Sequence, residues 1–180
     1  MDQFEFIAVL VSIVFGVAIT NLLSGILRSY FKRDLSSTRL AWSLAVGMVL
    51  VANWWGFFRW SDNSVWTFPQ FLFLVFWSTT HYLLAVSIYP YEFLDEYSEE
   101  MQRKFLLWTM LIVLVADLAE NAVRGGLFSP WYYPVFIASI GCLTVAPLLW
   151  KNRLVMHFAG WIFFVAVISW MTIVRSVLAS

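Results

Sequence analysis

The sequence predicts an all-α polytopic membrane protein, a bundle of six transmembrane helices with both termini outside the cytoplasm. Three observations predict it. Of 180 residues, 62% are hydrophobic and only 12% charged, more apolar surface than a soluble domain of this size can hide. Six apolar stretches, at about residues 4–27, 40–60, 69–89, 105–123, 131–150 and 155–177, each approach the ~20 residues that cross a hydrocarbon core. Of the eleven basic residues, eight fall in one set of loops: Arg28, Lys32, Arg33, Arg39, Arg103, Lys104, Lys151 and Arg153. Only Arg59, Arg124 and Arg175 fall in the other set, and this positive-inside bias sets the orientation. None of the stretches alternates like a barrel strand, and helices satisfy their own backbone groups, as lipid demands. With no soluble segment or low-complexity tail, residues 1–180 read as a single integral membrane domain.

Composition also excludes functions. A formal net charge of zero gives no electrostatic footprint for nucleic acid. The 11 Trp, 17 Phe and 7 Tyr suit a chain whose partner is the lipid bilayer, since aromatic rings favour membrane interfaces. The single cysteine, Cys142, allows no internal disulfide and no cysteine metal cluster.

The first span opens with Asp2 and Glu5 and no basic residue before Arg28. A cleavable signal needs a positive beginning, so this run reads as the first helix of the protein itself. Gly16, Thr20 and Ser24 recur at four-residue spacing, with Asn21 and Gly25 beside them. Small residues at that spacing let two helices approach closely, which predicts tight packing within the bundle or a seam between two copies. Asn21, toward the inner half, alternatively lines an inner vestibule.

The second span carries Asn53 and ends at Arg59; the third opens at Pro69, where a missing N–H costs little. Arg59, Trp66, Phe68 and Pro69 match Arg124, Trp131, Tyr133 and Pro134 at one offset of 65 residues. Spans two and three therefore read as a hairpin repeated in spans four and five. Trp54 with Arg59 and Trp170 with Arg175 share a five-residue spacing that extends the theme to the sixth span. Parallel repeats occur in transporters, though they serve equally to pack helices.

Mid-span in the third stretch lies His81, after Ser78, Thr79 and Thr80. It is either a proton relay, because histidine titrates near neutrality, or a neutral imidazole bonded to a neighbouring hydroxyl or carbonyl. Between spans three and four, Glu92, Asp95, Glu96, Glu99 and Arg103 recur at helical spacing opposite Phe93, Leu94, Tyr97 and Met101. Glu99 with Arg103, and Glu100 with Lys104, are favourable i,i+4 pairs. This predicts a cytoplasmic helical extension of the fourth span with a solvated face, or alternatively a docking face for a cytoplasmic partner.

The fourth span is the most informative. Asp117, Glu120, Asn121 and Arg124 lie at i, i+3, i+4 and i+7, one face of a helix. Charge within a membrane is costly and usually faces a bundle interior or water. From a ~1.5 Å rise per residue, His81 and Asp117 differ in depth by ~6 Å, within reach of each other across tilted helices. The residues predicted to form an intramembrane polar site in the outer half are His81, Asp117, Glu120, Asn121, Arg124, Arg59, Arg175, Asn53 and Glu5. The structural alternative pairs Glu120 with Arg124 along their helix and lets the arginines reach lipid phosphates.

Known cofactor chemistries find no support. His81 and His157 differ in depth by ~10 Å on the same rise, too far to share one haem. No H-E-x-x-H or Cys/His zinc spacing occurs. All three lysines, Lys32, Lys104 and Lys151, sit at inner helix ends, away from any retinal Schiff base. There is no phosphate loop or nucleophile elbow, so neither a catalytic nor a metal residue is assigned.

The opening Phe4-Glu5-Phe6-Ile7-Ala8-Val9, then Ser12-Ile13, Gly16, Ile19-Thr20, Leu22-Leu23 and Gly25, resembles the first span of a family of small uncharacterised bacterial multi-spanning membrane proteins. The run 71–74 and the acidic loop before Arg103 fit the same resemblance. It implies a bacterial inner-membrane protein and transfers no activity, cofactor or site residue. The leading functional expectation is transport, channel-like, of a small ion, proton or polar solute. The alternative is a non-transporting sensor, assembly factor or accessory subunit, working as a homo-oligomer or with a membrane partner.

Overall fold

The computed structural model describes residues 3–63, 65–90, 98–125 and 131–173. Among them are six α-helices: α1 (Gln3–Phe31), α2 (Ser37–Phe57), α3 (Phe68–Ile88), α4 (Glu99–Val123), α5 (Tyr133–Leu149) and α6 (Arg153–Ile173). Five are long and apolar enough to cross a membrane; α5 is a shorter apolar helix of 17 residues. Large side chains such as Ile13, Leu27, Phe76, Trp108 and Ile162 project outward from the bundle. An apolar perimeter of this extent would not suit water and is compatible with an integral membrane protein.

Helix ends follow local chemistry. Ser36 caps α2 through the Arg39 N–H, and Ser98 caps α4 through the Met101 N–H. Thr67 and Gln70 form a capping box on α3, whose first turn holds Pro69. Such caps satisfy donors that the helix leaves free. Pro134 likewise sits in the first turn of α5. α4 stops where Gly125 takes a positive φ of 69°, a conformation that glycine adopts without a Cβ clash.

The helices form a closed ring in the order α1, α3, α4, α5, α6, α2. α1 buries Ile7, Val11, Phe15, Ala18, Leu22, Gly25 and Ser29, a stripe spaced by three and four residues. At Gly25 the side chain of Tyr89 lies where a Cβ would stand. At Gly160 on α6 an added Cβ would lie 2.9 Å from Trp42 Nε1 on α2, an indole that donates to the Met156 carbonyl at 3.0 Å. Opposite this seam, Phe136 of α5 stacks on Trp170 of α6 at 4.2 Å.

Several sequence expectations need correction. The second span covers the expected residues, within Ser37–Asp62, but after Phe57 it tightens into a 3-10 helix, Phe58–Asp62, that carries Arg59 and Trp60. α4 begins at Glu99, where Ser98 caps it, so its first turn supplies part of the expected helical extension; the rest, 91–97, lies outside the described residues. α5 is shorter than the expected 131–150, and α6 starts before residue 155, at Arg153.

The Glu99–Arg103 pair does not form. Arg103 donates instead to the Pro147 carbonyl at 2.9 Å, one of the carbonyls that the end of α5 leaves without a helical donor. Glu99 accepts from Arg153 at 3.2 Å. The Glu100–Lys104 pair does form, at 2.9 Å, and Lys151 joins it at 3.2 Å. Gly16, Thr20 and Ser24, expected to pack within the bundle or at a seam between two copies, lie on the outer face of α1. All three are exposed, and nothing lies within 4 Å of a Cβ built at Gly16. α1 instead turns the stripe from Ile7 to Ser29 inward, where it packs against α3 and α2. Asn21 is half-buried on α1, with no partner for its Nδ2.

Candidate functional site

The polar face of α4 turns inward. Asp117, Glu120 and Asn121 are 9%, 5% and 6% exposed, and His81 on α3 is fully buried. Their spacing on α4 puts them in one column, and the flanking Val113, Leu114 and Ala116 bury the same side of the helix. The column meets α3, the end of α2 and the start of α5.

Asp117 is the hub. Its Oδ1 accepts from Trp77 Nε1 of α3 at 2.8 Å, and its Oδ2 accepts from Asn53 Nδ2 of α2 at 3.2 Å. His81 Nε2 approaches Oδ1 to 3.4 Å without completing a hydrogen bond. The other imidazole nitrogen, Nδ1, lies 2.9 Å from the Trp77 carbonyl. A carbonyl only accepts, so Nδ1 carries a proton and donates it. Phe15 of α1 and Trp77 pack against the imidazole at centroid distances of 5.2 and 4.9 Å. Phe57 stacks on the far side of Trp77 at 6.5 Å.

Glu120 forms a second node one turn further on. Its Oε1 accepts from Trp60 Nε1 at 2.8 Å, and its Oε2 accepts from Arg124 Nη2 at 2.8 Å. Arg124 also reaches Asn121 Oδ1 at 3.3 Å. Asn121 Nδ2 donates to Tyr133 Oη of α5 at 2.8 Å and to the Asp117 carbonyl at 3.0 Å. Bonds to a carboxylate are the strong ones; here they tie α2, the 3-10 turn and α3 to α4, and the neutral Asn121–Tyr133 bond adds α5.

Of the residues expected at the site, His81, Asp117, Glu120, Asn121, Arg124 and Asn53 come together. Arg124 points inward to Glu120 rather than out toward lipid phosphates, because a buried carboxylate one turn away is the stronger partner. Arg59 is half-buried on the 3-10 turn, and its Nε donates to the Gly56 carbonyl at 3.2 Å. Glu5 is exposed in the first turn of α1. Arg175 lies outside the described residues.

Three contributors escaped sequence reading: Trp60, Trp77 and Tyr133. Each carries a polar tip on an apolar body, and such tips find partners when buried. One signal was available, since Trp77 precedes His81 by one helical turn and shares its face. The 65-residue match takes on a different meaning here. Arg59 and Arg124 are not equivalent, and the residue beside Arg59, Trp60, meets Arg124 on the same carboxylate. Trp66 stacks on Trp60 at 5.7 Å, whereas its counterpart Trp131 is exposed beside Tyr132.

Among the described residues, no three His, Cys, Asp or Glu side chains converge as a metal site. An apolar groove of about 370 Å³ lies elsewhere, between the starts of α1 and α3, lined by Phe6, Trp66, Phe68 and Phe71 among others. No protein-family model matches the chain, and no curated protein or solved structure shows detectable similarity to it.

Proposed function

We propose that the chain is a non-conducting helical module of a membrane, a sensor or accessory subunit whose polar cluster ties α2, α3 and α4 into one defined arrangement. One observation carries this reading. Both carboxylate oxygens of Asp117, and both of Glu120, are engaged by protein donors. Each of these oxygens is held by a donor of the fold itself, and aromatic rings pack against the His81 side of the cluster. Polar bonds between membrane helices serve as packing glue, and an arrangement held this way can be biased by a ligand or partner.

Six spans, with α5 at the short end of the spanning range, and a bacterial inner membrane belong to the same reading. The orientation would follow from Arg28, Lys32, Arg33, Arg39, Arg103, Lys104, Lys151 and Arg153 gathering at one end of the bundle. The outward face of α1, with Gly16, Thr20 and Ser24, would meet lipid or a second copy.

Transport of a proton, small ion or polar solute is the second reading, favoured by the approach of His81 to Asp117. Proteoliposomes with an imposed pH gradient separate the two. The first reading expects the same leak as protein-free vesicles. A flux present in wild type and absent in Asp117→Asn establishes the second. An access test adds to this: in a Cys142→Ser background, Asn53→Cys should resist a water-soluble thiol reagent. Rapid labelling would mean that an aqueous path reaches the cluster.

A further inference from the structure

We propose that His81 and Asp117 together form a binding site for one proton, and that release of this proton loosens the contact between α3 and α4. The inference deepens the reading of the chain as a sensing module, on which it rests, by naming what is sensed.

The tautomer of His81 sets the chemistry of the pair. Because His81 Nδ1 donates to the Trp77 carbonyl at 2.9 Å, its proton is committed. In a neutral imidazole Nε2 is then a bare lone pair. That lone pair faces Asp117 Oδ1 at 3.4 Å, and it is a buried nitrogen with no hydrogen-bond partner among the described residues. Two acceptors facing each other inside a core repel unless a proton lies between them. One proton satisfies both, as imidazolium with carboxylate or as imidazole with carboxylic acid. In either form the pair is neutral. When the proton leaves for bulk water, the pair carries one negative charge and two opposed acceptors.

Among the described residues, no other charged group takes up the difference at close range. On α3 itself His81 is the only Asp, Glu, Lys, Arg or His. From α1 the packed group is Phe15, and from α2 it is the uncharged Asn53, bonded to Asp117. On α4 the nearest charges are Glu120 and Arg124, already paired with each other. The titratable phenol of Tyr133, from α5, bonds Asn121.

Trp77 makes the site a mechanical one. It accepts from His81 through its carbonyl and donates to Asp117 through its indole, closing a loop of three residues across the α3–α4 interface. Opposed acceptors in this loop separate most directly by moving α4 away from α3, which also loads the Asn53 bond to α2. A proton thus acts as a ligand with different affinities for two arrangements, the requirement for any population shift.

The chain has only two histidines, so the site can be watched in isolation. Full-length His157→Gln protein with ¹⁵N-histidine, in lipid nanodiscs, leaves one imidazole to follow by NMR between roughly pH 4 and pH 9, a range that brackets the ordinary carboxyl and imidazole values. The expected result is a protonated Nδ1 throughout and one step at Nε2, with a spin-label distance between α3 and α4 changing at the same pH. In Asp117→Asn the amide can donate to Nε2, and the coupled step is lost. Should that variant fail to fold, the Asp117 carboxyl band in the infrared serves instead: it should shift at the same pH in wild type and lose that shift in His81→Gln.

An Nε2 that at no pH gains a proton or accepts one from the Asp117 carboxyl, or a step that leaves the α3–α4 distance unchanged, overturns the proposal. Proton flux in vesicles is a separate measurement. Flux together with an intact step would sink the non-conducting reading and leave the proton site standing. No flux and no step would remove the proton site alone.

Discussion

The two ends of α4 carry the same chemistry in opposite settings. At the start, Glu99 and Glu100 lie in the first turn, ahead of the apolar run that begins at Phe105, and pair with Arg153, Lys104 and Lys151 in the open. At the finish, Asp117 and Glu120 are buried and bonded to Trp77, Asn53, Trp60 and Arg124. Exposed ion pairs add little, since water competes for both partners. Buried carboxylates are committed to their donors, because an orphaned polar group in a core has nowhere to turn. The same residue type is therefore decoration at one end of the helix and a structural hub at the other.

The contrast can be tested in order of expected effect. Asp117→Leu should be the most damaging change, as it leaves the buried Trp77 indole without its acceptor and takes from Asn53 its bond to α4. A loss of about 2–3 kcal/mol in detergent unfolding is expected, above the usual coupling between membrane helices because a buried donor is orphaned and the link between α2 and α4 is cut. A loss below ~0.5 kcal/mol would remove Asp117 as the hub.

Next comes a pair on α1 that asks whether burial, rather than residue type, decides the outcome. Gly25→Leu must displace Tyr89 and should destabilise by about 1–3 kcal/mol through overpacking. Gly16→Leu meets open space and should stay within about 0.5 kcal/mol in monomeric preparations. Equal effects at the two glycines would contradict the face that α1 turns to the core. If Gly16→Leu instead abolished a dimer seen by crosslinking in lipid, the small-residue stripe would be a seam between copies.

Trp60→Phe keeps the ring and its stacking on Trp66 but removes one donor from Glu120. About 1 kcal/mol is expected, and combining it with Glu120→Gln should be less than additive, as for residues in one network.

The smallest effect belongs to the exposed end. Lys104 and Lys151 hold the Glu100 carboxyl at about 2, below its ordinary 4.5. A lowered value in the folded chain means that the pairing contributes above the ordinary carboxyl range and is lost as pH falls from 4.5 toward 2. Acid unfolding of Glu100→Gln should differ from wild type only slightly, and less still at high salt, where exposed charges are screened. A large difference would mean that the exposed end holds the fold after all.

What the sequence determined by itself was whatever depends on periodicity and composition. The apolar runs and their lengths gave the helices to within a few residues at most ends, and the i, i+3, i+4, i+7 spacing put Asp117, Glu120, Asn121 and Arg124 on one face. Pro69 and Pro134 marked the starts of the returning helices. These are local properties of a 3.6-residue repeat, so they are written along the chain. Tertiary structure alone decided which face of α1 turns inward, that Arg103 leaves Glu99 for the Pro147 carbonyl, and that Trp60 and Trp77 supply the donors on which the two carboxylates rest. In each case the choice compares partners far apart in sequence, and only the packed helices bring those partners within bonding distance. The column of acids on α4 was legible as a polar face; that it is a face closed by indoles, with a single imidazole nitrogen left unanswered beside Asp117, became visible only in the assembled bundle.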